Sequence, residues 1–280
     1  MKILVTGGSG YLGSHIRQFF SADDFSRRTA CDILDTESVK AVADYDVVIH
    51  LAAHLDKDPQ FAEECFRTNT QGTANVISNT RPGAVFIYAS TKDIYGSHAS
   101  SYEQVPETCA TDYCGQSALE WSKFLGERYL EYYAREKGIR TCIFRMSTVY
   151  ARPSEGNEYG FVTHYIESVK RGGTIRLPMG GLPIRDILHV DDFARACQAF
   201  IDSSHVYGLY NIGGGKKNSA RLMELVETIG RLIQLEPVIA VDGTSPHPVP
   251  FNYISDLSRI REQLDWEPQI GIEEGLRSLL

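Results

Sequence analysis

Lys2-Ile3-Leu4-Val5-Thr6-Gly7-Gly8-Ser9-Gly10-Tyr11-Leu12-Gly13 is the stretch that decides the fold of this 280-residue chain. An apolar run, Lys2–Val5, passes through a glycine loop into a helical pattern from Tyr11 to Phe20. Gly7, Gly10 and Gly13 recur at three-residue intervals, the spacing of a turn that cradles a pyrophosphate. The first glycine permits the tight bend, the second lets the backbone approach a phosphate, and the third lets the helix lie close on the strand. Unpaired N–H groups at the helix start then face the anion, with the helix dipole behind them. Its place at the first strand-to-helix junction gives the motif its specificity.

The rest of the chain repeats this alternation. Strands are predicted at Thr29–Ile33, Val47–Leu51, Ala84–Ala89 and Thr141–Phe144, with helices at about Glu37–Ala43, Ala62–Ser78 and Ser117–Glu136. Strands alternating with helices predict an α/β fold, a doubly wound parallel sheet with helices on both faces. Strands buried on both faces need no polar alternation, and these show none. After about Tyr150 the elements shorten, with glycine pairs at 172–173 and 180–181, a triplet at 213–215, and prolines at 246, 248 and 250. The expected division is 1–151 with 183–213 for the Rossmann-type part, and 152–182 with 214–280 for a smaller part at one end of the sheet.

Composition narrows the function. Hydrophobic residues make up 42% of the chain, enough for a sizeable core, and 28 Lys and Arg against 36 Asp and Glu give a net charge of −8. An acidic chain with no basic run argues against nucleic acid or an acidic membrane as partner. No window approaches the roughly 18 apolar residues of a membrane span, and no signal-peptide core precedes the first strand. A cytoplasmic protein is expected. The six cysteines, at 31, 65, 109, 114, 142 and 197, form no CxxC pair. They read as small buried hydrophobes, not as a zinc site or a disulfide framework.

Nine pieces in order resemble the extended short-chain dehydrogenase/reductases, of the nucleotide-sugar epimerase and dehydratase type. They are TGGSGYLG at 6–13, CDILD at 31–35, HLAAH at 50–54, NTQGT at 69–73, STKDIYG at 90–96, Ser122-Lys123, Arg145 to Tyr150, Arg185-Asp186 with His189-Val190-Asp191-Asp192, and YNIGGG at 210–215. The resemblance implies that residues 1–151 with 183–213 bind NAD or NADP and that the smaller part binds the substrate. Gly7, Gly10, Tyr11, Leu12 and Gly13 would meet the cofactor, with Asp32 and Ile33 beside the adenine. Leu51, Ala52 and Ala53 would line the groove, and Asn69 and Lys123 would lie near the nicotinamide end. Thr91 would hold a sugar oxygen, Arg185 would grip a nucleotide diphosphate, and Thr148 and Asn157 would be sugar or phosphate contacts. The implied partner is a nucleotide-sugar. The implied chemistry is epimerisation through transient hydride removal, and the implied assembly is a homodimer built partly on Ser117–Glu136.

Two departures qualify that expectation. Family members usually have two strands between the first helix and the HLAA strand, the first ending in a carboxylate that holds the adenine ribose. Here ten residues, Ser21 to Ala30, have room for a turn and one strand. Asp32 could take over the ribose. Alternatively Arg27 and Arg28 could meet a 2′-phosphate and favour NADP, or stand as solvated surface arginines. The second departure concerns the family's Tyr-x-x-x-Lys, whose cation lowers the phenol pKa so that the phenolate accepts a proton. Aligning on Lys123 puts Leu119 where the tyrosine belongs. Tyr113 either replaces it from the helix entrance or is an ordinary interface aromatic. The dehydratase type carries two acidic residues after its threonine; here Lys92 and Asp93 follow Thr91, so Asp93 is either a general acid or a capping or solvated carboxylate. His247 stands where many relatives have a further arginine. These departures leave two alternatives to an epimerase, namely a catalytically impaired relative that only binds, or an NADPH-dependent keto-sugar reductase.

Overall fold

The computed structural model describes residues 1–153, 160–242 and 250–280. In chain order it runs β1 (Ile3–Thr6), α1 (Tyr11–Phe20), β2 (Asp23–Phe25), β3 (Val47–His50), α2 (Ala62–Cys65), α3 (Thr73–Asn79), β4 (Val85–Thr91), α4 (Ala118–Lys137) and β5 (Arg140–Met146). The second half adds β6 (Thr148–Tyr150), α5 (Phe161–Lys170), β7 (Thr174–Pro178), β8 (Ile184–His189), α6 (Val190–Asp202), β9 (Tyr207–Ile212), β10 (Ser219–Arg221), α7 (Leu222–Ile233), β11 (Val238–Asp242), α8 (Ser258–Leu264) and α9 (Ile272–Ser278).

The central sheet has the order β2-β1-β3-β4-β5-β9, with every pairing parallel. Successive residues of each strand feed two cores. Ile3, Val5, Val47, Ile49, Val85, Ile87, Cys142 and Phe144 pack with Ile16 of α1 and Phe193 and Phe200 of α6. Leu4, Val48, Phe86, Tyr88 and Ile143 pack on the other face with Val76 and Ile77 of α3 and Leu130 of α4. Both faces are dry, which is why the strands lack polar alternation. The chain winds outward in opposite directions from β1, to β2 on one side and β3 on the other. That reversal opens a crevice at the carboxyl ends of β1 and β3.

The strand expected at Thr29–Ile33 is not there; its place in the sheet is taken by Asp23–Phe25. Helix α1 ends at Ser21, in the left-handed region at φ 50, and Ala22 N–H reaches back to the Arg17 carbonyl at 2.9 Å. The chain therefore enters the sheet at once, pairing Asp23–Phe25 with Leu4–Thr6. Ser26 N–H then donates to Thr29 Oγ1, and a 3-10 turn over Arg27–Thr29 carries the chain out of the sheet. The helix expected at Glu37–Ala43 is a 3-10 turn at Ser38–Asp44, and the one expected at Ala62–Ser78 is helical to Asn79 but π-helical over Phe66–Gly72.

Strands β10, β8 and β6 form a second, three-stranded sheet, and β11 pairs with β7 in a third. Of residues 183–213, β8 thus joins the small sheet, whereas α6 and β9 join the central one. Asn157 and His247 lie outside the described residues.

A buried polar frame ties α4, β4, β5 and β9 together. Arg145 forks onto Glu127 at 3.0 and 2.7 Å, with both side chains almost wholly buried, and Ser90 Oγ donates to the same carboxylate at 2.6 Å. Arg145 also donates to the Tyr95 hydroxyl (3.1 Å), which donates to Asn211 Oδ1 (2.6 Å). On the open side of β9, Asn211 N–H donates to Glu107 Oε1 at 2.8 Å and Arg259 donates to the Leu209 carbonyl at 3.3 Å. Every lone pair and donor that burial would strand here has a partner, which a buried ion pair requires.

Candidate functional site

The crevice at the carboxyl ends of β1 and β3 holds a cavity of about 740 Å³. Gly7, Ser9 and Gly10 form one wall, Leu51 to His54 a second, and residues 25–28 with 31–34 a third. Gly7 sits at φ +69, and a Cβ there would meet the Ala52 amide at 2.9 Å. Gly13 needs its bareness for a different reason, because a Cβ would collide with the Gly7 carbonyl and push α1 off the loop. Helix α1 starts at Tyr11 behind Gly10, with no side-chain cap on its first amides. These features fit a dinucleotide whose diphosphate rests on the loop.

The floor of the crevice is fixed by a chain of directed hydrogen bonds. Thr73 Oγ1 donates to the Asn69 carbonyl at 2.6 Å, so it accepts from His50 Nε2 at 3.0 Å. That leaves His50 Nδ1 to accept from Thr6 Oγ1 (2.7 Å), which itself accepts the Ala52 N–H at 3.2 Å. The imidazole is neutral with its proton on Nε2, and burial, then the charge of Lys123, push its pKa down to about 3. His50 is therefore a brace between strand ends and not an acid or base at neutral pH.

Several residues assigned to the cofactor instead hold other parts of the fold. Among the described residues, Gly7, Gly10, Asp32, Ile33, Leu51, Ala52 and Ala53 line the cavity, whereas Tyr11, Leu12, Gly13, Asn69 and Lys123 do not. The Tyr11 hydroxyl bonds Ala151 and Thr163, pinning the chain after β6 to the glycine loop. Asn69 spends its amide on His54 (N–H and carbonyl) and on Ser122 Oγ, all at 2.8–2.9 Å, so it holds the post-β3 loop on α4. The Asp32 carboxylate accepts the Leu34 amide at 2.9 Å, and Asn75 donates to the Ile33 carbonyl, anchoring this adenine-side loop on α3.

Lys123 is only 5% exposed and its Nζ donates to the Ala89 carbonyl at 2.8 Å. Burial lowers its pKa to about 8. The amine also stands 5.0 Å over the Tyr88 ring, and Thr91 ends the same strand two residues beyond Ala89. Thr91 Oγ1 accepts the Asp93 N–H at 3.2 Å and keeps its own proton for an outside acceptor. Leu119 lies one turn before Lys123 on the same side of α4.

Tyr113 is not part of this grouping. It is 69% exposed and stacks on Trp121, ring centroids 6.3 Å apart. Trp121 is two residues from both Leu119 and Lys123, about 200° around the helix, so the stack lies on the far side of α4.

Asp93 is neither a helix cap nor a solvated group. Its carboxylate pairs with Lys92 and, at 2.9 Å, with Lys57, which also reaches Glu120 at 2.7 Å. Burial alone would raise its pKa, but the two ammonium groups outweigh that and hold it well below the usual range. Lys92 Nζ stands 5.0 Å over the Tyr253 ring. Lys57 and Glu120 belong to no motif, and only their distances in space reveal them. Arg185 pairs with neither Asp186 nor Asp191. It donates to the Ile184, Pro250 and Phe251 carbonyls at 2.7, 3.1 and 2.6 Å, a largely buried cation with no carboxylate on it among the described residues. Asp186 instead accepts the Gly215 and Ser255 amides. Thr148 stands half-buried in β6, paired in register with Ile187 of β8.

No helix of the described residues is long and apolar enough to cross a membrane. The chain is 25% identical over its whole length to CDP-paratose 2-epimerase of Salmonella typhi, covering 98% of that protein. It is 30% identical to dTDP-glucose 4,6-dehydratase of Streptomyces griseus over 88% of this chain and 74% of that one. Its structure superposes on UDP-glucose 4-epimerase of Thermotoga maritima, solved with UDP-glucose, with a TM-score of 0.84 at 25% identity, over 99% of this chain and 96% of the other. The sequence profile of the NAD dependent epimerase/dehydratase family matches residues 3–213, three quarters of the chain and the whole central sheet, and the chain belongs to that NAD-dependent family.

Proposed function

We propose that this chain is an epimerase acting on a nucleotide-linked sugar by hydride removal and return. The observation that carries the proposal is the buried Lys123 amine on the Ala89 carbonyl, two residues before Thr91 in β4. The relatives named as a 2-epimerase and a 4-epimerase support it. A bound nicotinamide would take up and give back the hydride, and so act as a catalyst that is not consumed.

The chain's own residues would handle binding and protons. Arg185, a guanidinium without a carboxylate partner among the described residues, suits a sugar nucleotide's diphosphate. Thr91 donates its free proton to a sugar oxygen. With Leu119 in the tyrosine position and Tyr113 on the far side of α4, the proton leaving a sugar hydroxyl passes to Lys123. An amine with pKa near 8 is partly unprotonated at neutral pH, as a general base must be. Phe66, Leu125, Tyr129 and Tyr132 are exposed on neighbouring helices and make the face on which two copies would meet.

The test is incubation of the purified protein with UDP-, dTDP-, GDP- and CDP-sugars, following the anomeric signals by NMR. A new epimer at constant nicotinamide absorbance is expected. Absence of turnover with every sugar, while nucleotide is bound, removes the proposal. That outcome favours the second reading, a relative that binds without catalysing, for which Leu119 is the specific observation. Stoichiometric loss of NADPH absorbance with a keto-sugar would instead identify a reductase.

A further inference from the structure

We infer that Lys57 is a positioning residue: its ammonium ties the loop that walls the dinucleotide cavity to the end of β4 and the start of α4, so that filling the cavity orders the segments that carry Thr91 and Lys123. This role rests on the proposed chemistry of those two groups, and it can fail separately from that chemistry.

Lys57 lies midway along a loop that touches the cavity at both ends. Leu51 to His54 line the cavity as the chain leaves β3, and Gln60 and Phe61 line it again before α2. The first stretch is pinned through His54, whose N–H and carbonyl are both held by the Asn69 side chain. The second begins at Asp58, whose Oδ1 accepts the Gln60 N–H at 2.9 Å. Lys57 is not itself on the cavity wall. Its Nζ instead stands 2.9 Å from Asp93 Oδ2 and 2.7 Å from Glu120 Oε1.

Each of these carboxylates holds a segment that the proposed chemistry uses. The Asp93 N–H donates to Thr91 Oγ1 at 3.2 Å, and the Asp93 carboxylate also pairs with Lys92. Glu120 Oε2 accepts the Ser117 N–H at 2.6 Å and the Ser117 hydroxyl at 2.5 Å, in the capping box that fixes where α4 begins. Lys123 follows Glu120 by three residues, so the start of the helix sets the height of the Lys123 amine. One ammonium thus joins three segments that are separate in sequence.

Exposed ion pairs contribute little, because water serves either partner nearly as well. The Glu120 side chain is only 3% exposed and that of Asp93 19%, so water is no substitute for the ammonium here. Burial opposes the Lys57 charge, but Asp93 and Glu120 outweigh it and hold the amine's pKa above its usual value. Among the described residues Glu120 has no other cation. Removing the ammonium would leave that buried charge unpaired beside the Asp93 carboxylate, and like charges would push α4 away from the end of β4. About half of the Lys57 side chain is exposed, so its replacement opens no core.

Hydrogen–deuterium exchange with and without saturating NAD⁺ tests this on the wild-type chain, Lys57→Met and Lys57→Arg. In wild type, NAD⁺ should slow exchange at the glycine loop and at 51–54, and also across 91–95 and 117–123. Lys57→Met should bind NAD⁺ and keep the slowing at the glycine loop but lose it at the two remote segments. Its kcat on the accepted sugar nucleotide should fall about ten- to a hundredfold with KM little changed, the cost of misplacing reacting groups by about an ångström. Lys57→Arg keeps the charge and should restore both. If a thermal melt shows Lys57→Met unfolded, Glu120→Gln cuts the same bridge and should lose the slowing across 117–123. Slowing that reaches α4 equally in the variants, or never reaches it in wild type, overturns the role of Lys57. Slowing that spreads in wild type alone, with no sugar turned over, supports that role and removes the proposed function. Absence of NAD⁺ binding overturns both.

Discussion

Replacing Leu119 by tyrosine is the most informative single change. Leu119 and Lys123 are four residues apart on α4, about 6 Å along the axis and 40° around it. A phenol at 119 would therefore project into the space that the Lys123 amine faces. Proximity of the ammonium favours the phenolate, and positioned acid–base catalysis contributes about 10²- to 10⁴-fold. That corresponds to about 3–5 kcal/mol off the barrier. Leu119 is 7% exposed, so the larger ring must displace neighbours at a cost of about 1–3 kcal/mol in stability. The assay is the NMR turnover measurement with the sugar nucleotide that the wild type binds most tightly, beside a thermal melt. Turnover should rise by at least two orders of magnitude while the melting point falls by a few degrees. If the variant folds, binds dinucleotide and turns over no faster than wild type, position 119 does not face the reacting hydroxyl and the placement of the site is wrong.

Three further outcomes are expected. The kcat/KM of the wild-type chain should rise about tenfold per pH unit up to an inflection near 8 and level beyond it, because only the neutral Lys123 amine accepts a proton; Lys123→Arg should abolish turnover, and a flat profile would count against the amine as base. His50 has a folded pKa of about 3 against about 6.5 unfolded, so the unfolded chain binds the proton first as pH falls. The stability it contributes is complete above the unfolded value and is lost as pH drops towards 3, at about 1.4 kcal/mol per unit; urea midpoints between pH 6 and pH 4 should be correspondingly less steep in His50→Gln. Glu127→Gln, which leaves Arg145 buried without its counter-charge, should cost about 3–5 kcal/mol by urea unfolding, whereas Glu127→Leu with Arg145→Met should recover much of it.

Strand patterns buried on both faces and the glycine loop were enough to read the parallel sheet and α1 from the sequence. The second strand was not legible. Asp23-Asp24-Phe25 has poor strand propensity, and it pairs because the left-handed stop at Ser21 delivers it beside β1. Propensity instead favoured Thr29–Ile33, which the Ser26–Thr29 cap carries out of the sheet. At the site, motif spacing located part of the cavity wall, from Gly7 and Gly10 to Leu51, Ala52 and Ala53. The same spacing gave Asn69 and Tyr11 to the cofactor, and their hydrogen bonds assign them to loop anchoring. Tyr113 was a candidate only by nearness in sequence, and helical phase puts its stacking partner on the wrong side. The Lys57–Asp93–Lys92 grouping joins residues from separate loops, which no local pattern reports. Arg145 was recognisable as a motif member, but its fork onto Glu127 depends on the packing of α4 on β5.

Strand β9 closes the central sheet on one side, where a run of main-chain groups would otherwise invite a strand from another molecule. The Glu107 carboxylate on the Asn211 amide and the Arg259 guanidinium on the Leu209 carbonyl occupy those very groups with charged tips. A foreign strand docking there would have to displace both ions from hydrogen bonds without offering either a counter-charge. Protection of this border against fibre-like self-association is therefore shared by two charged side chains and by Val105 and α8, which pack beside them.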